Sequence, residues 1–113
     1  WWESLDYAKR QTSLTADQAH LSSDGAYHFV ISRTDPGVPN WLDTEGFSRG
    51  VILMRYDGLD VAGISDEHHP TATLVKLSEL KDSLPSDEPV VSKQERIDDL
   101  AMRRRHVQRR ENF

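Results

Sequence analysis

Cysteine is absent from the 113 residues, which excludes disulfide staples and thiolate metal sites. That absence fits a reducing compartment, so a cytoplasmic setting is favoured while the localisation itself stays unassigned. No apolar run approaches the ~20 residues that a membrane helix needs. Nor does a basic stretch lead into an apolar one at the start, so no signal peptide is visible. The chain opens on Trp1-Trp2 and not on Met, which leads us to expect an upstream segment. Apolar residues make up only 36% and charged residues 29%, a lean ratio for a globular domain. At this length one domain is the upper bound, with roughly two thirds of the unfolded surface available for burial. The ratio suits a thin sandwich with an edge helix, leaning on another domain.

Several catalytic signatures are missing too. No Ser lies in a Gly-x-Ser-x-Gly elbow. Gly46-x-x-x-Gly50 lacks the length and the Lys-Ser/Thr of a phosphate loop, and there is no dinucleotide fingerprint. No cofactor is expected. Asp66-Glu67-His68-His69 has metal-binding residue types, yet adjacent histidines on extended backbone point apart. A solvated loop is the better reading, and no metal is expected.

What is there begins with charge. Residues 1–95 carry 8 Lys+Arg against 16 Asp+Glu, a net of −8, while residues 96–113 carry 6 against 3, a net of +3. An acidic body speaks against whole-domain nucleic-acid binding, which needs a positive face. The dense patch Arg103, Arg104, Arg105, His106, Arg109 and Arg110 suits a helix C-terminus, where cations meet the favourable end of the dipole. Docking across the acidic body is its expected role, and binding of nucleic acid or an anionic partner is the competing one, with no aromatic interleaving for base stacking.

Periodicity supplies the elements. Gln18–Leu21 reads as a short strand, and Asp24-Gly25 as a hairpin turn. Strands are expected over Ala26–Arg33, Val51–Tyr56 and Thr71–Leu77, all rich in β-branched or aromatic residues. Asp60–His69 reads as a loop. Ser78 opens a short helical stretch to Leu84, stopped by Pro85, and residues 85–91 form a linker. Ser92-Lys93-Gln94-Glu95 is a capping box for a helix running to about Arg110, with Ile97, Leu100, Ala101 and Val107 as its apolar stripe. The sum is a mainly-β fold: a β-sandwich over residues 15–84 with a C-terminal basic α-helix over 92–113. Residues 1–14, with Trp1 and Trp2, are expected to pack on a missing upstream domain.

The segment Asp35 to Thr44 has the most character. Asp35-Pro36-Gly37 fits a type II turn, and Pro39 holds Val38 extended. Stiff, long loops are where ligands bind, so Asp35, Asn40, Trp41, Asp43 and Arg55 are the ligand-binding candidates. Each has a plainer reading. Arg55 either pairs with Asp43 or Asp35 or clamps an anion. Trp41 either anchors the loop in the core or offers a stacking face to a sugar. Asp35 and Asp43 either serve turns or form a carboxylate pair of the glycosidase kind. His20 and His28 face each other if their strands pair.

Asp24-Gly25, the stretch Asp35 to Thr44, then Gly46, Gly50 and Leu53-x-Arg55-Tyr56 together resemble the bacterial domain of unknown function 1214. Ser4-Leu5-Asp6-Tyr7, Gln11-Thr12-Ser13-Leu14 and the Arg-rich helix are similar to its actinobacterial variant. The resemblance implies a jelly-roll-like sandwich at the C-terminal end of a longer protein, often behind a companion domain also of unknown function. It implies no catalytic residues. The expected function is therefore a structural, pocket-forming module with a small-molecule or sugar ligand. Part of a hydrolase or transferase site, using the loop carboxylates and Arg55, is the alternative.

Overall fold

A computed structural model describes residues 4–111. Its elements are β1 (Val30–Ser32), β2 (Trp41–Asp43), a 3-10 turn (Asp66–His68), a second 3-10 segment (Leu77–Ser83) and helix α1 (Lys93–Glu111). β1 and β2 pair in parallel, with Val30 opposite Trp41 and Ser32 opposite Asp43. Parallel neighbours ordinarily need a crossover of a dozen or more residues, and here residues 33–40 suffice. A tight Asx turn makes this feasible: the Gly37 N–H donates to Asp35 Oδ1 at 2.8 Å, and Gly37 takes a φ of 72°, which costs glycine little.

The free edge of β2 is taken by the N-terminal segment. Asp43 N–H donates to the Gln11 carbonyl at 2.8 Å, and Gln11 Nε2 donates to the Trp41 and Pro39 carbonyls at 2.6 and 3.2 Å. Residues 4–14 thus pack on residues 39–45 of their own chain. Trp1 and Trp2 lie outside the described residues.

The β-sandwich expectation is overturned. Two three-residue strands and a long helix are the regular elements among the described residues besides the 3-10 segments. Ala26–Arg33 shrinks to β1, and Gln18–Leu21 forms no strand. Val51–Tyr56 and Thr71–Leu77 find no pairing partner among the described residues, and their apolar side chains stay in solvent, Leu53 at 88% and Leu74 at 101% exposure. The physical reason lies in what alternation encodes: it specifies faces, while pairing also needs a neighbouring edge and an opposing sheet. Among the described residues only Trp41 and Leu80 are buried apolar side chains, whereas Gln11, Ser22, Asn40, Asp43 and Arg96 are buried polar ones. Order here comes from hydrogen bonds more than from an apolar layer.

The expected Ser78–Leu84 helical stretch exists as the Leu77–Ser83 3-10 segment, which is capped at Lys76 and not by the Ser78 side chain. The capping box forms as read: Glu95 N–H donates to Ser92 Oγ at 3.1 Å, and Ser92 N–H donates to Glu95 Oε2 at 2.7 Å. The apolar stripe on α1 is a correction. Ile97 and Ala101 are exposed, while Arg96, Leu100, Arg103 and Val107 turn inward, a spacing that follows one helical face. The linker is stitched, not free: Ser22 Oγ and Ser23 Oγ donate to Glu88 and Asp87, each at 2.7 Å, and Val91 N–H donates to the Gly37 carbonyl. No helix among the described residues is long and apolar enough to cross a membrane.

Candidate functional site

Geometry gathers around the loop that joins β1 to β2. Asp35 sits at the turn's first position and points to α1, where Arg96 grips it through Nε at 2.9 Å and Nη2 at 3.0 Å. The same guanidinium donates to the Val38 carbonyl at 2.6 Å and the Pro39 carbonyl at 3.4 Å. It also lies 5.3 Å over the Trp41 ring, within cation–π range. Arg96 is 5% exposed, so the loop acts as its solvation shell. Burial raises the Asp35 carboxyl; the Arg96 bonds, the Gly37 N–H and the guanidinium charge outweigh it and hold Asp35 below the ordinary carboxylate value.

Asn40, at 1% exposure, is the most enclosed of the described residues. Its Oδ1 accepts the His20 N–H at 2.7 Å and its Nδ2 donates to the His20 carbonyl at 2.8 Å. This closes both polar groups of one residue, as a strand neighbour would. Trp41 is the loop's anchor, buried with Nε1 donating to the Ser32 carbonyl at 3.0 Å, and its ring is not a free stacking face. Asp43 takes Arg10 at 3.2 Å and the Glu45 N–H at 2.8 Å. Arg55 pairs with Asp57 at 3.1 Å, both side chains above 80% exposed. It pairs with neither Asp35 nor Asp43, which corrects the expected contact. Asp35, Asp43 and Arg55 therefore answer to three different partners and do not converge on a shared cleft.

His20 and His28 meet different carboxylates, and Gln18–Leu21 forms no strand to pair them. His28 Nε2 meets Asp24 Oδ2 at 2.7 Å, and this bond, with the Ala26 N–H, lowers the Asp24 carboxyl. His20 approaches Glu88 at 4.0 Å. In the Asp66–His69 stretch, His68 Nδ1 engages Ser65 Oγ at 2.6 Å. Among the described residues no group of three metal-ligating side chains converges.

The cavity nearest the loop is a cleft of about 310 Å³ between the N-terminal segment and α1. Pro39 is the loop's contribution to its wall. Asp17 and Gln18 stand on one side, and Asp99, Met102, Arg103 and His106 on the other. Arg103 is committed to the Tyr7 and Ser13 carbonyls at 2.8 and 3.0 Å and to Ser13 Oγ at 2.6 Å, and burial lowers its guanidinium from the usual value. Arg104 and Arg105 face solvent.

The sequence reading missed Arg96, Gln11 and the cleft. One signal was available for Arg96. A cation in the first turn of a helix opposes the dipole, so an arginine just after a capping box implies a tertiary anion. Gln11 and His20 offer no such mark, since their partners are backbone atoms. No family model, curated protein or solved structure matches the chain.

Proposed function

We propose that this chain is a non-catalytic, pocket-forming module whose β1–β2 loop fixes helix α1 against the N-terminal segment and so shapes the cleft between them. The carrying observation is the Arg96 clamp. Its donors go to Asp35 and two loop carbonyls, and it shares one helical face with Asp99, Arg103 and His106. The loop's polar groups serve architecture, which speaks for a supporting role over catalysis. The ligand class that suits the cleft is a small polyhydroxylated molecule such as a sugar. Asp17 and Asp99 offer carboxylate acceptors from opposite walls, and Leu14 and Met102 offer apolar contact. Mixed walls of this kind fix orientation with few polar groups.

The resemblance to domain of unknown function 1214 adds a larger setting: the C-terminal part of a bacterial polypeptide, packed on an upstream domain. Leu74, Val75 and Leu77, all exposed, offer apolar surface for that contact. Thermal unfolding with a panel of monosaccharides tests the ligand reading. A rise in melting temperature that disappears in both Asp17→Ala and Asp99→Ala supports it. No response to any sugar, or a response that survives both substitutions, rejects it.

A further inference from the structure

Residues 46–63 are all exposed, although they contain one of the strongest strand patterns in the chain, Val51–Tyr56. Val51, Ile52, Leu53 and Met54 are 64, 65, 88 and 45% exposed. Four consecutive apolar residues make a strand apolar on both faces, the mark of a strand meant for burial. From Ser48 to Leu59 no backbone N–H donates within the described residues. Leu53, Arg55 and Asp57, alternate positions, line one side of an open groove whose other side is Leu14–Ala16. That shared side is the two-residue period of extended chain.

We infer that this segment is an interaction surface for a second copy of the same chain, with the two Arg49–Asp57 segments pairing antiparallel about Leu53. Charge fixes the register. Centred on Leu53, the pairing sets Arg49 of each copy opposite Asp57 of the other, and Ile52 opposite Met54. Tyr56 then covers Gly50. Moving the pairing by one residue sets each of these charges opposite a neutral residue. Moving it by two sets Arg49 opposite Arg55, or leaves Arg49 and Asp57 facing apolar side chains. Centres further along would carry the strand through Gly58, whose φ of 75° interrupts extended backbone. Opposite charges directly across a ladder stabilise and like charges destabilise. The local Arg55–Asp57 pair is too exposed to compete, and it keeps Asp57 on the face where Arg49 of the other copy arrives.

An isolated two-stranded ribbon is marginal in water, so the dimer is weak and grows with concentration. Its readout is mass, which is independent of the cleft and its ligand. Sedimentation equilibrium of the full chain over a concentration series should show a monomer–dimer equilibrium. Arg49→Asp alters two symmetry-related pairs and should weaken the dimer about tenfold. The double variant Arg49→Asp/Asp57→Arg should restore it, and Leu53→Pro should abolish it. All these positions are exposed, so an unchanged far-UV spectrum certifies the folded monomer. A chain that stays monomeric at every concentration overturns the inference. So does a dimer indifferent to Leu53→Pro, or a charge swap that fails to rescue.

Discussion

Asp35 and Arg96, 61 residues apart, meet in a two-pronged ion pair whose guanidinium also covers the Trp41 ring. The pair fastens the β1–β2 loop to helix α1, which walls the cleft opposite the N-terminal segment. Arg96 is the more buried partner, at 6% side-chain exposure against 35% for Asp35. Removing the carboxylate therefore strands a buried charge.

Asp35→Asn should destabilise the chain by about 2–3 kcal/mol, the lower range for breaking a buried, charge-assisted pair. Urea unfolding followed by tryptophan fluorescence measures this. Arg55→Ala is the matched control. Its ion pair is solvated on both sides, so the change should stay within ~0.5 kcal/mol. Equal losses in the two variants would contradict the assignment of the clamp.

Acid should act through the same pair. Asp35 is held below its ordinary value of 3.8, so its contribution is complete above that value and is lost as pH falls below it. The Asp24 and Glu95 carboxyls are also held low, by His28 and by the Ser92 N–H respectively, and they weaken in the same direction. Stability measured from pH 6 downward should be level until about pH 4 and then decline. In Asp35→Asn the decline should be shallower. An unchanged slope in that variant would remove Asp35 from the acid response.

Asn40 offers a sharper substitution. Its amide donates to one His20 backbone group and accepts from the other, so Asn40→Asp keeps the acceptor and turns the donor into a second acceptor facing a carbonyl. Asn40→Asp should cost more than Asn40→Ala, with both losing at least ~1 kcal/mol. Thermal unfolding at neutral pH ranks the two. The reverse order would show that shape, and not hydrogen-bond polarity, governs the site.

Local chemistry was legible in the residues, and long-range pairing was not. The capping box predicted the start of α1, and Asp35-Pro36-Gly37 predicted a turn at the loop's mouth. Pro85 marked the end of the preceding helical stretch. Each of those signals is satisfied by atoms within a few positions. Val51–Tyr56 and Thr71–Leu77 carry equally strong strand signals, but a strand is completed by a neighbour at any sequence distance, or on another molecule. Trp41 could be read as an anchor, whereas its companion Arg96 sat on a helix whose stripe was sought among Ile97, Leu100, Ala101 and Val107. Two arginines on that inward face hid the face from an apolar count. For the candidate site, Asp35, Asn40, Trp41 and Asp43 were identified as a segment of consequence, and their role came out as architecture. The cleft residues Asp17, Asp99 and His106 carry no motif, because only the docking of α1 brings them near one another.

The order in which these pieces leave the ribosome has its own consequence. Residues 4–44 are made before α1, yet their tertiary ties to Arg96 and Arg103 span 57 to 96 positions. Contacts of such separation form late, since the chain entropy between them must be given up before they contribute. The β1–β2 loop and the N-terminal segment therefore lack their ties to α1 until that helix has been synthesised. A nascent chain arrested before Arg96 would be open to protease throughout the loop, and one extended past Arg103 would close.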